Sequence, residues 1–288
     1  MRTLSGHRIS NIGIGTWTLS RAPIETEVPT LLYYYYHGVN FIDVVLAYDG
    51  GKTLKVVAEF LKHIHRKNIF INAFITYGCN TVDDIEKQID TYLKELNIKY
   101  IDCLTLHSPA VIGISFDEYV KKVNELRQTN KFYHIGYSNL SPEQFEKVKN
   151  NAQYFEGLYN LDCKINEDNG IMDKCKKLGI PFYAYQPLRR NRIALANHKE
   201  VVLLAKKHKK TQNQILLNWM LKHKKINVLI KSTNTEHIAE NIKANDFEMT
   251  LADYKMLDKF RNEFFDNIPV TFGNEEGKVR IDQLPNQG

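Results

Sequence analysis

The sequence predicts an α/β fold in which strands and helices alternate along one chain. Eight short, mostly apolar runs follow one another over 288 residues, and each is followed by sequence of helical periodicity. Continuous apolar runs are typical of strands that are buried on both faces of a parallel sheet. No linker rich in Pro, Gly or Ser divides the chain. Eight such units match a single (β/α)8 TIM barrel of ordinary size better than two domains.

The predicted strands recur at regular intervals along the chain. In order they lie at 13–15, 40–43, 69–74, 101–107, 134–138, 157–160, 181–185 and 227–230. Several of them, such as 101–107, carry apolar residues at most positions. Strands of this kind are expected in the wall of a barrel, where helices cover the outer face and side chains fill the interior.

The segments between the strands predict helices with one buried face. Apolar side chains recur at helical spacing at Ile85, Ile89, Leu93 and Leu96, and again at Phe116, Val120, Val123 and Leu126. Ser141 before Pro142 predicts a helix N-cap and first helical position, and Thr250 with Asp253 predicts another helix start.

A doubly wound sheet is the alternative to the barrel. In that fold a G-x-G-x-x-G turn follows the first strand and binds a dinucleotide. Residues 13–17 instead read Gly-Ile-Gly-Thr-Trp, which breaks the pattern. We therefore predict one barrel domain over 1–288, with an extended C-terminal tail at 267–288.

Composition and charge narrow the class of function. The net charge of +6 arises from 39 Lys and Arg against 33 Asp and Glu, an excess that suits a small anionic ligand. It does not by itself indicate nucleic acid, and we expect no such partner. The four cysteines show no C-x-x-C pair, so neither a disulfide scaffold nor a metal site is predicted. No apolar stretch has the length of a membrane span, and a cytoplasmic location is the expectation.

Three side chains capable of acid–base chemistry are predicted to meet at one end of the barrel. Active sites of this fold lie where the carboxyl ends of the strands gather. Asp43 and His107 each end an apolar strand, and Tyr48 follows Asp43 by five residues. A buried charge such as Asp43 must be paired or functional. His107 alone would more often be a hydrogen-bonded core residue, but its position beside Asp43 and Tyr48 favours a role in chemistry.

At these residues the chain resembles the aldo-keto reductase superfamily over nearly its whole length. The matching blocks are Gly-Ile-Gly-Thr-Trp at 13–17, Gly-Val-Asn-Phe-Ile-Asp at 38–43 with Tyr48, Asp-Cys-Leu-Thr-Leu-His at 102–107, Ile-Gly-Tyr-Ser-Asn at 135–139, Ala-Tyr-Gln-Pro-Leu at 184–188, and Ile-Lys-Ser at 230–232 with His237, Glu240 and Asn241. These blocks occur in the same order as in the family, which is stronger evidence for the resemblance than any one motif. Asp49 stands where the family has glycine after the tyrosine.

The resemblance implies a barrel that binds NADP(H) across its mouth and reduces carbonyl groups by hydride transfer. It implies that Tyr48 is the general acid, that His107 orients the carbonyl and that Asp43 belongs to a supporting charge network. Trp17 would line the pocket of a small carbonyl substrate.

The resemblance also implies a set of cofactor-binding residues. Ser138 and Asn139 would bind the nicotinamide carboxamide, and Tyr185 would stack on its ring. Glu156 stands where the family has glutamine, and an ionised carboxylate accepts hydrogen bonds but cannot donate them. The adenosine phosphate would be bound by Lys231, Ser232, His237, Glu240 and Asn241, with His237 where the family usually has arginine.

One implied departure concerns the catalytic lysine of the family. That lysine should end the third strand, where this chain has Phe74, and no lysine occurs between Lys67 and Lys87. The family's lysine lowers the pKa of the tyrosine, because a nearby cation favours the phenolate. Phe74 would line the substrate pocket without supplying that charge.

The sequence therefore predicts an NADP(H)-dependent oxidoreductase that acts on a small aldehyde or ketone, slow or atypical because the lysine is missing. Two alternatives stay open: a nucleotide-binding regulatory or partner-binding barrel without turnover, and a redox-neutral enzyme that uses Tyr48 and His107 as an acid–base pair. The pattern indicates neither the substrate nor the oligomeric state.

Overall fold

The computed structural model describes residues 2–4, 7–262, 270–271 and 279–280. Its strands are β1 (Arg2–Leu4), β2 (His7–Ile9), β3 (Ile12–Ile14), β4 (Phe41–Val45), β5 (Phe70–Ile75), β6 (Ile101–Leu106), β7 (Phe132–Ser138), β8 (Tyr154–Leu158), β9 (Phe182–Tyr185), β10 (Asn227–Ile230), β11 (Val270–Thr271) and β12 (Val279–Arg280). Most of the C-terminal tail predicted at 267–288 lies outside the described residues.

Helices follow the strands around the barrel. They are α1 (Ile24–Tyr36), α2 (Lys52–Leu61), α3 (Val82–Glu95), α4 (Phe116–Leu126), α5 (Pro142–Val148), α6 (Ile165–Asp168), α7 (Ile171–Leu178), α8 (Arg192–Leu195), α9 (Lys199–His208), α10 (Gln212–Asn218), α11 (Thr235–Ile242) and α12 (Leu251–Lys259). Within the described residues, no helix has the length and apolar character needed to span a bilayer.

Strands β3 to β10 close into a barrel, and every neighbouring pair is parallel. The predicted (β/α)8 TIM barrel is confirmed. Strands β1 and β2 form an antiparallel pair that precedes the barrel. Because all eight barrel strands run the same way, their carboxyl ends gather at one rim, and the loops that follow them surround a common space.

Both predicted helix starts are confirmed by their caps. Ser141 Oγ accepts a hydrogen bond from the Gln144 backbone N–H at 3.2 Å, at the start of α5. Thr250 Oγ1 accepts one from the Asp253 N–H at 3.2 Å, and the Asp253 carboxylate accepts one from the Thr250 N–H at 3.1 Å. Each pair satisfies backbone donors that a helix start otherwise leaves open.

The sixth predicted strand lies about three residues too late. The structure places β8 at Tyr154–Leu158 rather than at 157–160. Asn160 ends the extended chain, because its Oδ1 accepts from the backbone N–H groups of Asp162 and Cys163 at 3.0 and 2.9 Å. An asparagine side chain that binds the backbone two residues on makes a turn, and that turn chemistry was missed in the sequence.

Stacked aromatic rings fill the amino-terminal end of the barrel interior. Phe41 stacks on Phe70, Tyr154 and Tyr183, with ring centroids 5.4, 5.6 and 4.3 Å apart. All four side chains are buried, and the Tyr183 hydroxyl donates to the Ser10 carbonyl oxygen at 2.6 Å. Such packing makes the lower barrel a solid core. The residues two positions further along β4, β5 and β8 therefore form the next layer toward the open rim.

Candidate active site

A cavity of about 1110 Å³ lies at the carboxyl ends of the barrel strands. Every predicted site residue lines it: Trp17, Asp43, Tyr48, Phe74, His107, Ser138, Asn139, Glu156, Tyr185, Lys231, Ser232, His237, Glu240 and Asn241. They come from the ends of β3 to β10 and from the loops and the helix that follow. A volume of this size suits an extended ligand of the dinucleotide class better than a small molecule alone.

The predicted catalytic side chains stand on neighbouring strands. His107 directly follows β6, and its backbone N–H donates to the Ile75 carbonyl oxygen at 2.9 Å. The Phe74 ring, on β5, meets the His107 ring edge-on with centroids 5.9 Å apart. Tyr48 lies in a tight turn three residues after β4. Tyr48, Phe74 and His107 thus face one end of the cavity.

The turn after Tyr48 explains why glycine is preferred at the next position. Asp49 has φ +49°, in the left-handed region that ordinary side chains seldom adopt. Its carboxylate accepts a hydrogen bond from the Ser20 hydroxyl at 2.7 Å. Aspartate is among the few residues that tolerate this conformation. The departure at Asp49 is therefore compatible with the same turn and leaves Tyr48 at the cavity.

A layer of hydrogen-bonded polar side chains lies between the aromatic rings and the cavity. Asn72 Nδ2 donates to Asp43 Oδ1 at 2.8 Å, and Thr105 Oγ1 donates to Asn72 Oδ1 at 2.5 Å. Across the barrel, the Tyr154 hydroxyl donates to Glu156 Oε2 at 2.7 Å. The carboxyl groups of Asp43 and Glu156 are hydrogen-bonded to each other. The layer thus joins β4, β5, β6 and β8 through one continuous set of contacts.

The polar layer contains two acids and no base. The ion pairs of the described residues include neither Asp43 nor Glu156. Burial raises the pKa of Asp43 to about 7, although the hydrogen bond from Asn72 opposes the shift. Burial and the nearby Asp43 charge raise the pKa of Glu156 well above its ordinary value. Two adjacent carboxyls cannot both ionise cheaply, so the pair holds a proton at neutral pH.

The same charges act on Tyr48. Burial raises its pKa, and the negative charges of Glu156 and Asp43 raise it further. Among the described residues no cation offsets these effects on the pKa of Tyr48. Tyr48 is therefore a neutral phenol that can donate a hydrogen bond and resists becoming a phenolate.

Ser138 and Asn139 lie where β7 ends, beside His107 and Tyr185. The Tyr185 hydroxyl donates to Asn139 Oδ1 at 2.8 Å, and Asn139 Nδ2 donates to the His107 carbonyl oxygen at 3.0 Å. These bonds fix the side chains of Asn139 and Tyr185 at the rim of the cavity. Glu156 is the register partner of Ser138 on the adjoining strand, so the carboxyl pair lies next to this end.

The opposite end of the cavity is formed after β10. Lys231 lies 3.3 Å from the Glu27 carboxylate of α1, and Glu27 is fully buried. Ser232 Oγ accepts a hydrogen bond from the Asn234 N–H at 3.1 Å, which shapes the turn before α11. His237 lies exposed in α11. The expected phosphate-binding residues are thus together, but Lys231 already has an acidic partner that the sequence did not reveal.

Several residues at or beneath the cavity were not identified from the sequence. Asn72 is a polar residue in the apolar run Phe-Ile-Asn-Ala-Phe-Ile, two positions before Phe74, and that period-2 spacing was the available signal. Arg21 and Arg190 lie over the Trp17 ring, at 5.5 and 3.8 Å from its centroid. No sequence motif includes Arg21 or Arg190. The loop that carries Arg190 has no defined spacing from Trp17, so the sequence did not indicate their contact.

Comparison with known proteins identifies the family. The model of the Aldo/keto reductase family matches residues 11–262. The chain belongs to this family. The resemblance drawn from the motifs is therefore confirmed, and the matched range covers the whole closed barrel.

Individual relatives of this aldo/keto reductase are distant in sequence. Methylglyoxal reductase YeaE of Escherichia coli is 26% identical over 258 residues, covering 86% of this chain and 89% of the relative. Aldo-keto reductase family 1 member A1 of Rattus norvegicus is 23% identical over 297 residues, covering 92% and 90%.

Solved structures agree with the fold. The thermostable aldo-keto reductase Tm1743, solved with the inhibitor epalrestat, has a TM-score of 0.82 at 26% identity, covering 89% of this chain and 97% of that one. The aldo-keto reductase from Klebsiella pneumoniae, solved with NADPH, has a TM-score of 0.80 at 23% identity, covering 88% and 92%.

Proposed function

We propose that this protein is an NADP(H)-dependent oxidoreductase that reduces a small aldehyde or ketone. The observation that carries the proposal is the single cavity that brings Tyr48 and His107 together with the side chains expected to bind a dinucleotide. A proton donor, a hydrogen-bonding imidazole and a long cleft are what hydride transfer to a carbonyl requires. Membership of the aldo/keto reductase family supports the same reaction class.

The residues of the cavity fit the nicotinamide cofactor. Thr16 is 1% exposed, lines the cavity and has a hydroxyl without a hydrogen-bond partner among the described residues. A buried hydroxyl of this kind can form a hydrogen bond with a polar group of a bound ligand. Ser138, Asn139 and Tyr185 would hold the nicotinamide, and Ser232 with His237 would hold the phosphate end. Bound NADPH would supply the hydride, as the NADPH complex of the Klebsiella pneumoniae relative suggests.

Tyr48 would give the proton and His107 would orient the carbonyl. The neutral phenol of Tyr48 can donate to a carbonyl oxygen as negative charge develops there. His107 can hold the same oxygen by a hydrogen bond. The phenolate left behind would lie near Glu156 and Asp43 rather than near a cation, which makes the transfer costly. We therefore expect slow reduction compared with a site that contains a lysine.

The proposed substrate is a small carbonyl compound with an apolar or aromatic substituent. Trp17, Phe74 and Tyr77 line the cavity around the predicted catalytic end. The name of the Escherichia coli relative specifies methylglyoxal, a small dicarbonyl, for that protein. Aromatic walls shield a carbonyl from water and accept small apolar groups.

The test is steady-state oxidation of NADPH over a panel of aldehydes, ketones and quinones, followed by absorbance. Turnover of at least one carbonyl with stoichiometric alcohol formation is expected. Binding of NADPH without turnover on any compound would favour the second candidate, a nucleotide-binding barrel without catalysis. The observation in favour of that candidate is the raised pKa of Tyr48, on which acidic side chains and no cation of the described residues act. A cavity that binds no nicotinamide dinucleotide would contradict both.

A further inference from the structure

Two buried acids at the inner end of the cavity interact with each other, and neither forms an ion pair with a cation of the described residues. Asp43 is 5% exposed and Glu156 is 6% exposed, and both line the cavity. Their other partners, Asn72 Nδ2 and the Tyr154 hydroxyl, are neutral donors. Burial of a charge without an opposite charge is unfavourable, so such a pair attracts any cation that can reach it.

The charged groups that surround the pair do not neutralise it. The titratable groups around it are Tyr48 after β4, Cys103 on β6, Tyr154 on β8, Tyr183 on β9, and His107 at the end of β6. Burial raises the pKa of Tyr48, Cys103 and Tyr154, so these three are neutral at physiological pH.

The lysine and arginine side chains among the described residues of the cavity lie on its loops and are engaged elsewhere. Lys231 pairs with Glu27 at 3.3 Å, Arg189 pairs with Asp162 at 2.8 Å, and both Arg21 and Arg190 lie over the Trp17 ring. None of these side chains shifts the pKa of Asp43 or that of Glu156. Within the described residues these lysine and arginine side chains therefore leave the pair without a counter-charge, which a cationic ligand can supply.

The position of the pair relative to the other side chains indicates which ligand charge it meets. Glu156 is the register partner of Ser138, and Ser138 and Asn139 are the proposed carboxamide-binding residues. The unpartnered Thr16 hydroxyl follows β3, the strand beside β4 and Asp43, and independently indicates a bound group at this end. A nicotinamide ring is neutral when reduced and carries one positive charge after it has given up hydride.

We propose that the Asp43–Glu156 pair is a charge-selective subsite that binds the oxidised, cationic nicotinamide ring in preference to the reduced, neutral ring. This inference rests on the proposed function, because it requires a nicotinamide cofactor in the cavity. A neutral pair attracts neither form, whereas a pair that has lost one proton attracts the cationic ring. The preference therefore grows as the pH rises through neutrality.

The test is equilibrium binding of NADP⁺ and of NADPH to the full chain at pH 6, 7 and 8, followed by tryptophan fluorescence. The two forms share adenosine, pyrophosphate and 2′-phosphate, so the ratio of their Kd values isolates the nicotinamide end. Kd(NADPH)/Kd(NADP⁺) should rise about tenfold between pH 6 and pH 8, which corresponds to one pKa unit of interaction with the ring. A ratio that does not change with pH overturns the inference while the proposed function stands.

A double variant separates the pair from His107, which could give a pH effect of the same sign. Asp43→Asn with Glu156→Gln keeps the shape and removes both acids, so the ratio should stay at its low-pH value. A pH dependence that persists in this variant assigns the effect to His107 and overturns the inference. The matched control is Asp49→Asn, which removes an exposed carboxylate outside the cavity lining and should leave the wild-type dependence unchanged.

A second measurement needs no variant and covers the case in which the double variant does not fold. Calorimetric titration of the wild type near pH 7, in two buffers of different ionisation enthalpy, counts the protons released on binding. NADP⁺ should release more protons than NADPH, because the cationic ring favours the ionised pair. Equal release by the two forms contradicts the inference. If neither form binds, the proposed function fails and the inference fails with it.

Discussion

At the scale of single residues, Phe74 sets the charge balance of the cavity. Its side chain is buried on β5 beside His107, and β5 also carries Asn72, which contacts Asp43. A basic residue at this position would give the carboxyl pair a partner and would favour the phenolate of Tyr48. Phenylalanine supplies apolar volume and no charge, so Asp43 and Glu156 retain a proton instead.

Phe74→Lys tests this directly. The new ammonium can pair with Asp43, lower the pKa of Tyr48 and raise kcat for a generic aldehyde by about tenfold per pKa unit gained. Loss of the ring could cost a few kcal/mol in stability, so the Tm must be measured beside the rate. Phe74→Met is the control, because it replaces the ring by another apolar side chain without a charge. A folded Phe74→Lys protein that is no faster than wild type would contradict the prediction.

Tyr48→Phe tests the proton donor. Loss of a general acid lowers a rate by roughly 10²- to 10⁴-fold, and kcat should fall by that range. The affinity for NADPH should change little, since the phenol is not proposed to bind the phosphates. The measurements are steady-state kinetics and a fluorescence titration on the same preparation. Full activity in Tyr48→Phe would show that a different group delivers the proton.

At the scale of elements, α1 and the loop after β10 share one ion pair. Glu27 of α1 is fully buried, and burial raises its pKa while Lys231 opposes the shift. The pair fixes Lys231 at the cavity and also offsets its charge. The proposed phosphate end of the site therefore contacts a helix that occurs about 200 residues earlier in the chain.

Glu27→Gln should strengthen binding of the 2′-phosphate. The amide keeps the shape of the side chain but leaves the charge of Lys231 available to an anion. We expect Kd for NADPH to fall by about three- to tenfold while Kd for NADH changes less, because each tenfold change is only 1.4 kcal/mol. Glu25→Gln, an exposed acid of the same helix, is the control. An equal increase in affinity for NADPH and NADH would exclude an effect through the 2′-phosphate.

Strand β7 carries a glycine that the polar layer requires. A Cβ on Gly136 would lie 2.2 Å from Thr105 Oγ1 and 2.8 Å from the Tyr154 ring. Gly136→Ala should therefore lower stability by about 1–3 kcal/mol, the usual cost of overpacking a core. Urea unfolding measures the loss. Gly15→Ala is the comparison, because its added Cβ would approach no atom closer than 3.9 Å and should cost less.

The barrel could be predicted from the sequence because its signals are local. Apolar runs, helical periodicity and the caps at Ser141 and Thr250 each depend on residues close in the chain. Asp43, Tyr48 and His107 could be expected at one rim because they lie at or just after strand ends, whereas the proposed cofactor-binding residues came from the family resemblance. The contact of Asp43 with Glu156, and that of Lys231 with Glu27, join distant strands and helices, and no local pattern indicates such pairs.

At the scale of the whole molecule, the carboxyl pair links folding to pH. The pKa of Asp43 is raised to about 7 from its ordinary value near 4, and that of Glu156 is also raised. Between about pH 4 and pH 7, the folded state therefore binds more protons than the unfolded chain. This contribution is fully present below pH 4 and is lost as the pH rises through 7.

The pair should make the wild type less stable at pH 8 than at pH 5 by about 2 kcal/mol, relative to the double variant Asp43→Asn with Glu156→Gln. Urea unfolding of both proteins at the two pH values gives the comparison, and acids elsewhere contribute equally to each. A difference between the proteins that does not vary with pH would contradict the assigned titration.

The polar layer has the stacked aromatic rings of the lower barrel below it and the cavity on its other face. When a ligand covers that face, the proton shared by Asp43 and Glu156 loses its path to bulk water. After a sudden change of pH, the protonation state of the pair should then change only once the ligand has dissociated. A pH jump on the liganded protein would relax at the dissociation rate of the ligand, whereas the free protein would relax at once.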